Sequence, residues 1–311
     1  MALETAVARH GKLQVRGNRI VDKNGKPVAL HGMSLFWSQW MPQYYNASAV
    51  NWLVSDWRCD IVRVAMGVGS GGYLENPARE KQKVITAVDA AIKAGVYVII
   101  DWHDHDAHDH TAQAVAFFGE MAKRYANVPN VIYETYNEPT DKPDWKTQIK
   151  PYHETVIKEI RRHSPDSLVV CGTRFWSQKV DEASQDPIRL PNVAYVLHFY
   201  ATSHRQSLRD AATVALKNGV ALMVTEFGTT ESSGDGVVDV EETKKWWAFL
   251  EANGISWCNW SVADKVESSA ILKPGSAGRG GWSDAVITPS GKFVRDELRR
   301  LNPAPVTKTK G

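Results

Sequence analysis

The 311-residue sequence predicts a (β/α)8 TIM barrel, with a short N-terminal β-hairpin closing its bottom. Three observations carry this expectation. Short β-branched or apolar runs recur along the chain, separated by stretches of helical periodicity, the pattern of a parallel sheet with crossover helices. The runs are apolar at nearly every position, so both faces of the sheet are covered. The chain is also long enough for eight such units. No G-x-G-x-x-G follows the first run, which argues against an open dinucleotide-binding sheet.

The elements follow in order. Residues 1–12 form an N-terminal segment. Leu13-Gln14-Val15 and Arg19-Ile20-Val21 read as a hairpin, and Asn24-Gly25 is a strong turn signal. Strands are expected at Val28–Ser34, Asp60–Val68, Val96–His103, Val131–Glu138, Leu168–Trp176, Val193–Tyr200, Ala221–Gly228 and Ile255–Val262. Helices are expected at Ala47–Trp57, Glu80–Ala94, Thr111–Tyr125, Trp145–Arg162, Ser207–Lys217, Val240–Ala252 and Ser290–Arg300. The fifth crossover, Val180–Leu190, carries a weak signal and only short helical turns. One catalytic domain is expected over 13–302, followed by a flexible tail at 303–311.

Composition narrows the function. Lysine and arginine number 37 against 35 acidic residues, with no basic stripe, so nucleic acid is not an expected partner. No apolar run reaches membrane-spanning length, so no membrane partner is expected. The first residues lack a signal-peptide pattern. Three cysteines without a C-x-x-C pair do not suggest a disulfide framework, and Cys171 and Cys258 read as buried, inert thiols. Tryptophan stands out at twelve residues. Most are expected in the core, but indole faces also suit the flat C–H faces of sugars.

In a barrel of this kind, chemistry gathers at the C-terminal strand ends. There the chain places Arg63, then Asp101-Trp102-His103, Asn137-Glu138-Pro139, Arg174-Phe175-Trp176, His198-Phe199-Tyr200, Thr225-Glu226-Phe227-Gly228 and Asn259-Trp260-Ser261. Two strand ends, the fourth and the seventh, carry a glutamate. These can face each other across the mouth, as a glycosidase requires. A separation of about 5–5.5 Å serves retention, and about 6.5–9.5 Å serves inversion.

These motifs, with Ile61-Val62-Arg63, Val98–His103, Gly172–Gln178, Trp257–Ser261 and Lys265–Ser269, resemble glycoside hydrolase family 5. The likeness runs from about Leu13 to Arg300 and is closest to the bacterial endo-β-1,4-glucanases. It implies a retaining cellulase acting through a covalent glycosyl-enzyme. Glu138 resembles the acid/base, a role that needs a raised pKa, and Glu226 the nucleophile, which must stay ionised. Arg63 and Tyr200 would support Glu226, and Arg63 reads also as a core salt bridge to Glu134, a role that can coexist with the first. Asn137 resembles the donor to the sugar 2-hydroxyl, and His103 and His198 resemble substrate-orienting histidines. Trp260 resembles the platform under the attacked sugar. Trp40 and Trp176 resemble the floors of neighbouring subsites, and Trp37 is an alternative to Trp40. Lys265 and Glu267 resemble contacts to glucose hydroxyls. The chain departs from many relatives in having Gly67 where they carry an aromatic residue, a contact that is either lost or replaced by Tyr73. It also has Phe227 where Glu-Trp-Gly is frequent.

The resemblance implies a β-1,4-glucan partner, no cofactor, no metal, a monomer, and secretion, because a long insoluble glucan cannot enter a cell. Mannan, xyloglucan and mixed-linkage glucan fit the same two-glutamate mechanism. A rival reading comes from the loop Asp101–His110, where His103, His105, His108 and His110 alternate with four aspartates. This loop suits a divalent ion, either structural or that of a metal-dependent amidohydrolase built on His103 and His105. A sugar-binding barrel without catalysis is a third reading.

Overall fold

The computed structural model describes residues 4–303. Helix α1 (Ala6–His10) is capped by Thr5, whose hydroxyl accepts from Ala8 N at 3.3 Å. It packs Ala6 against the base of the barrel and ties Arg9 to Asp60 at 3.0 Å. Strands β1 (Gln14–Arg16) and β2 (Arg19–Val21) pair antiparallel. Gly17, at φ 58°, supplies the left-handed geometry of their tight connection. The Asn24-Gly25 turn follows the hairpin and folds back onto Asp22, which accepts from Asn24 N and Lys26 N.

Among the described residues, eight parallel strands then close into a barrel, each pairing with the next in chain order and the last with the first. The successive elements are β3 (His31–Leu35), α2 (Ala47–Ser55), β4 (Ile61–Gly67), α3 (Pro77–Ala94), β5 (Tyr97–His103), α4 (Thr111–Arg124) and β6 (Val131–Glu134). A π-helical turn, Trp145–Ile149, leads into α5 (Lys150–His163), where one continuous helix was expected; Asp144 caps the turn through Thr147 N. Then come β7 (Val169–Cys171), the four-residue turn α6 (Arg174–Ser177), α7 (Val180–Gln185), β8 (Val193–Tyr200), α8 (Gln206–Lys217), β9 (Leu222–Gly228), α9 (Val240–Asn253), β10 (Trp257–Val262) and α10 (Pro289–Leu301).

Two strands end earlier than the apolar runs suggest. The run Val131–Glu138 is laddered only to Glu134, and Leu168–Trp176 only to Cys171. The chain beyond β6 still runs beside β5, with Asn137 N donating to Trp102 O at 3.2 Å. Beyond β7 it turns into α6. The fifth crossover is short, as its weak periodicity suggests.

Strand alternation sorts the core into shells. Val62, Val64, Val98, Ile100, Leu197 and Phe199 face the helices. Ile61, Ile99, Ile132, Val170, Val196 and Met223 fill the barrel floor together with Leu13 and Ile20 of the hairpin. Above that apolar floor lies a buried polar layer containing Arg63, Asp101 and Glu134. Among the described residues, no helix is long and apolar enough to cross a membrane.

Candidate active site

The centre of the polar layer is Arg63, on β4 and fully buried. Its guanidinium forks onto Glu134, Nε to Oε2 at 2.8 Å and Nη2 to Oε1 at 3.0 Å. It also reaches Asp101 at 2.9 Å, Glu226 at 2.9 Å and Asn137 Oδ1 at 2.7 Å. One side chain thus organises the ends of β4, β5, β6 and β9, and its carboxylate neighbours hold it well above the usual guanidinium range despite burial. It is at once a core salt bridge to Glu134 and a donor to Glu226. Deleting Arg63 would leave several buried carboxylates uncompensated. The Arg63→Met variant is expected to lose about 3–5 kcal/mol of stability, read as a fall in the urea midpoint. A change below about 1 kcal/mol would contradict this account.

A β-bulge aims Glu226. Along β9, Met223 faces the floor, so strict alternation would turn Thr225 inward and Glu226 outward. Instead the pairing with β8 passes from Val196↔Met223 to His198↔Glu226, and that with β10 from Trp257↔Val224 to Asn259↔Phe227. The extra residue on β9 lets Thr225 and Glu226 both point inside. Thr225 Oγ1 donates to Glu134 Oε1 at 2.7 Å. Glu226 receives Arg63 on one oxygen and the Tyr200 hydroxyl, at 2.9 Å, on the other.

Glu138 approaches from the segment after β6. A carboxylate oxygen of Glu138, one of Glu226 and a ring nitrogen of His198 all lie within 4.8 Å of one another. His198 Nδ1 meets Glu138 Oε1 at 2.9 Å, and Nε2 meets Thr225 Oγ1 at 2.8 Å. Burial opposes a charge on this ring, but Glu134 and Glu138 outweigh it and raise its pKa to about 9. The imidazolium therefore donates from both nitrogens. Burial and the nearby Glu138 raise the pKa of Glu226, against His198, Arg63 and Tyr200. Arg63 and Tyr200 both reach Glu226 as expected, and burial with Glu138 outweighs them. Burial likewise raises Asp101, against Arg63 and with the help of Glu134 and Glu226. Burial and Arg63 push His103 well below its usual range, leaving a neutral ring 2.7 Å from Asp101.

The cleft has two halves that share Glu138, Tyr200, Glu226 and Ser232. One half, about 390 Å³, is lined further by Phe175, Trp176, Gln178, His198 and His204. The other, about 260 Å³, holds Phe36, Trp37, Trp40, His103, His105, Trp260, Lys265 and Glu267. Here His103 stacks on Trp260 at 5.2 Å and 2°, and meets Trp37 edge-on at 4.1 Å. Trp37 and Trp40 are neighbours at 4.8 Å, so the two share one wall rather than compete for it. Lys265 pairs with Glu267 at 2.5 Å. The loop carrying both tryptophans is pinned at Ser38. The Ser38 hydroxyl donates to buried Glu80 at 2.5 Å and accepts from Gly67 N at 3.0 Å.

Each candidate residue named from the sequence thus lies in this cleft or touches one of the two glutamates, except Asn137, whose side chain meets Arg63 instead. Two alternatives left open by the sequence are decided. Tyr73 does not replace the aromatic residue absent at Gly67: it packs into the core against Trp102 and Phe117, and Gln39 occupies the space beside Gly67, where a Cβ would lie 1.8 Å from its amide oxygen. The histidines of the Asp101–His110 loop do not converge either. His103 turns to Asp101, His105 to the Glu138 carbonyl, His108 to the Tyr136 hydroxyl and His110 to Asp104. Sequence reasoning overlooked Phe36, His204 and Ser232. Only His204 carries a signal, lying four residues past the end of β8.

Known proteins are similar along most of the chain. The family model for cellulase, glycosyl hydrolase family 5, matches residues 21–266. The endoglucanase of Clostridium saccharobutylicum is 42% identical, over 94% of this chain and 66% of its own length. Endoglucanase Z of Dickeya dadantii is 48% identical, over 92% and 66% respectively. The chain therefore spans just under two thirds of the length of these relatives. A solved structure from Cytophaga hutchinsonii superposes with a TM-score of 0.95 at 53% identity, covering 96% of this chain and 97% of that one. The catalytic domain of Thermobifida fusca endoglucanase Cel5A gives 0.91 at 37%, covering 95% and 99%. With this fold, this paired-glutamate cleft and these similarities, the chain belongs to the cellulase family, glycosyl hydrolase family 5.

Proposed function

We propose that the chain is a retaining endo-β-1,4-glucanase that cleaves internal bonds of cellulose and related β-glucans by double displacement. The observation that carries this is the approach of Glu138 and Glu226 to within 4.8 Å at the junction of two cleft halves. So close an approach favours the short separation of a retaining pair, about 5–5.5 Å, over the about 6.5–9.5 Å of an inverting one. Glu226 attacks, and Arg63 and Tyr200 stabilise its carboxylate as it forms and leaves the ester. Glu138 protonates the departing oxygen, then activates water, with His198 donating to it throughout.

Asn137 points its carbonyl at Arg63, which leaves its Nδ2, buried and without a partner among the described residues, for the 2-hydroxyl of the sugar. Trp260 and His103 sit beneath the attacked sugar, Trp37 and Trp40 beneath the next, and Lys265 and Glu267 bind hydroxyls. Trp176 supports the leaving side. Cleft space on both sides of the glutamates suits an internal bond, and a polymer too large to enter a cell suits a secreted enzyme. A Thermobifida fusca Cel5A variant has been solved with cellotetraose.

Rates on carboxymethylcellulose, mannan, xyloglucan and mixed-linkage glucan test the substrate, with cellulose derivatives expected to lead and activity to persist in excess EDTA. Faster mannan hydrolysis, or loss of activity on chelation, would overturn the reading. The pH–rate profile follows from the same site. Activity rises as Glu226 ionises, above the ordinary carboxylate value, and falls as His198 loses its proton near pH 9. Loss of that proton turns a lone pair toward Glu138. A profile flat through pH 9–10 would contradict the role given to His198.

A further inference from the structure

Trp176 has a neighbour that these roles do not use. Phe175 lines the same half of the cleft and is 39% exposed. Single exposed aromatics are common, but this one is held in an unfavourable backbone. Phe175 has φ 58° and ψ 58°, Trp176 φ 53° and ψ 49°, and Ser177 φ 55°. Left-handed geometry is disfavoured for any residue with a Cβ, and here three occur in succession.

The surroundings fix it. Phe175 N donates to Thr140 O at 3.0 Å, Trp176 N to Pro139 O at 2.8 Å, and Ser177 Oγ to Asn137 O at 2.7 Å. Such strain persists where neighbouring structure over-determines it, and it concentrates at functional sites. The turn that displays the two rings is therefore tied to the backbone segment that carries Asn137 and Glu138.

The rings stand 5.0 Å apart at 77°, as a floor and a wall. β-Glucosyl residues carry their hydroxyls around the edge and their C–H bonds on the faces. A sugar lying on Trp176 would turn a polar edge toward Phe175. The apolar face of the next residue, rotated about its glycosidic bond, matches that wall. We infer that Phe175 is a specificity-determining residue, the wall of a subsite for a second glucosyl residue on the leaving side. This rests on the glucanase reading.

Cellohexaose labelled with ¹⁸O at its reducing end, digested and resolved by mass spectrometry, reports which bond is cut. In Phe175→Ala, cuts that leave two or more glucosyl residues on the leaving side are expected to fall about fivefold to tenfold relative to cuts that leave one. Phe175→Tyr, which keeps the ring, is expected to retain the native pattern. An unchanged distribution in a folded Phe175→Ala protein, or an equal loss at every bond, overturns the inference. No cleavage of cellohexaose by the unaltered protein would instead overturn the glucanase reading and the subsite with it.

Discussion

Glu226→Ala is expected to lower kcat on glucan by on the order of 10⁴-fold or more. Without that carboxylate no glycosyl-enzyme is expected to form. Asp101 and Glu134 are fully buried beneath it and held by Arg63. The fold should survive, because Arg63 keeps both of those partners when Glu226 is gone. The loss also opens a small space lined by Arg63 and the Tyr200 hydroxyl, a suitable seat for a small anion. Azide is therefore expected to restore turnover of an aryl cellobioside with a good leaving group, giving the glycosyl azide of inverted configuration. The checks are kcat, the melting temperature and the configuration of the azide product. Retention of more than a tenth of native turnover by a folded variant would exclude Glu226 as nucleophile.

Glu138→Ala gives a different signature. Turnover of cellulose derivatives is expected to fall by about 10²–10⁴-fold, the contribution of a positioned general acid–base. The loss should shrink for the first step with an aryl leaving group that departs without a proton. The second step still lacks its base, so the glycosyl-enzyme should accumulate and release one equivalent of phenol in a burst. Stopped-flow release of the phenol from the variant reads both phases. A loss that is independent of leaving-group acidity would remove Glu138 from the acid role. His198, which now donates to Glu138 at 2.9 Å, would lose that acceptor in this variant.

Much of the barrel was legible because its signals are local. The apolar runs, the Asn24-Gly25 turn signal and the polar residues at strand ends each follow from short-range chemistry. The site was legible in its members but not in its geometry. Alternation along β9 would have turned Glu226 outward, and only the bulge between Met223 and Glu226 reverses it. A bulge depends on pairing with two neighbouring strands, which no local pattern encodes. For Arg63 the sequence allowed a core salt bridge to Glu134 and support of Glu226 together, and its guanidinium reaches both. The choice at Gly67 between a lost contact and Tyr73 was open for a related reason: an aromatic residue near the rim can turn to the core when Trp102 and Phe117 provide edge contacts. The histidine-rich loop was misleading because spacing along a chain says nothing about direction. Its imidazoles face separate partners.

The account depends on a carboxylate pair too close to admit a water between nucleophile and sugar. The configuration of the first-formed product measures this most directly. Proton NMR of cello-oligosaccharide hydrolysis, followed before mutarotation, should show the β-anomer appearing first and the α-anomer growing in later. Initial appearance of the α-anomer would mean a single displacement by water, and would contradict the double displacement assigned to Glu226 and Glu138.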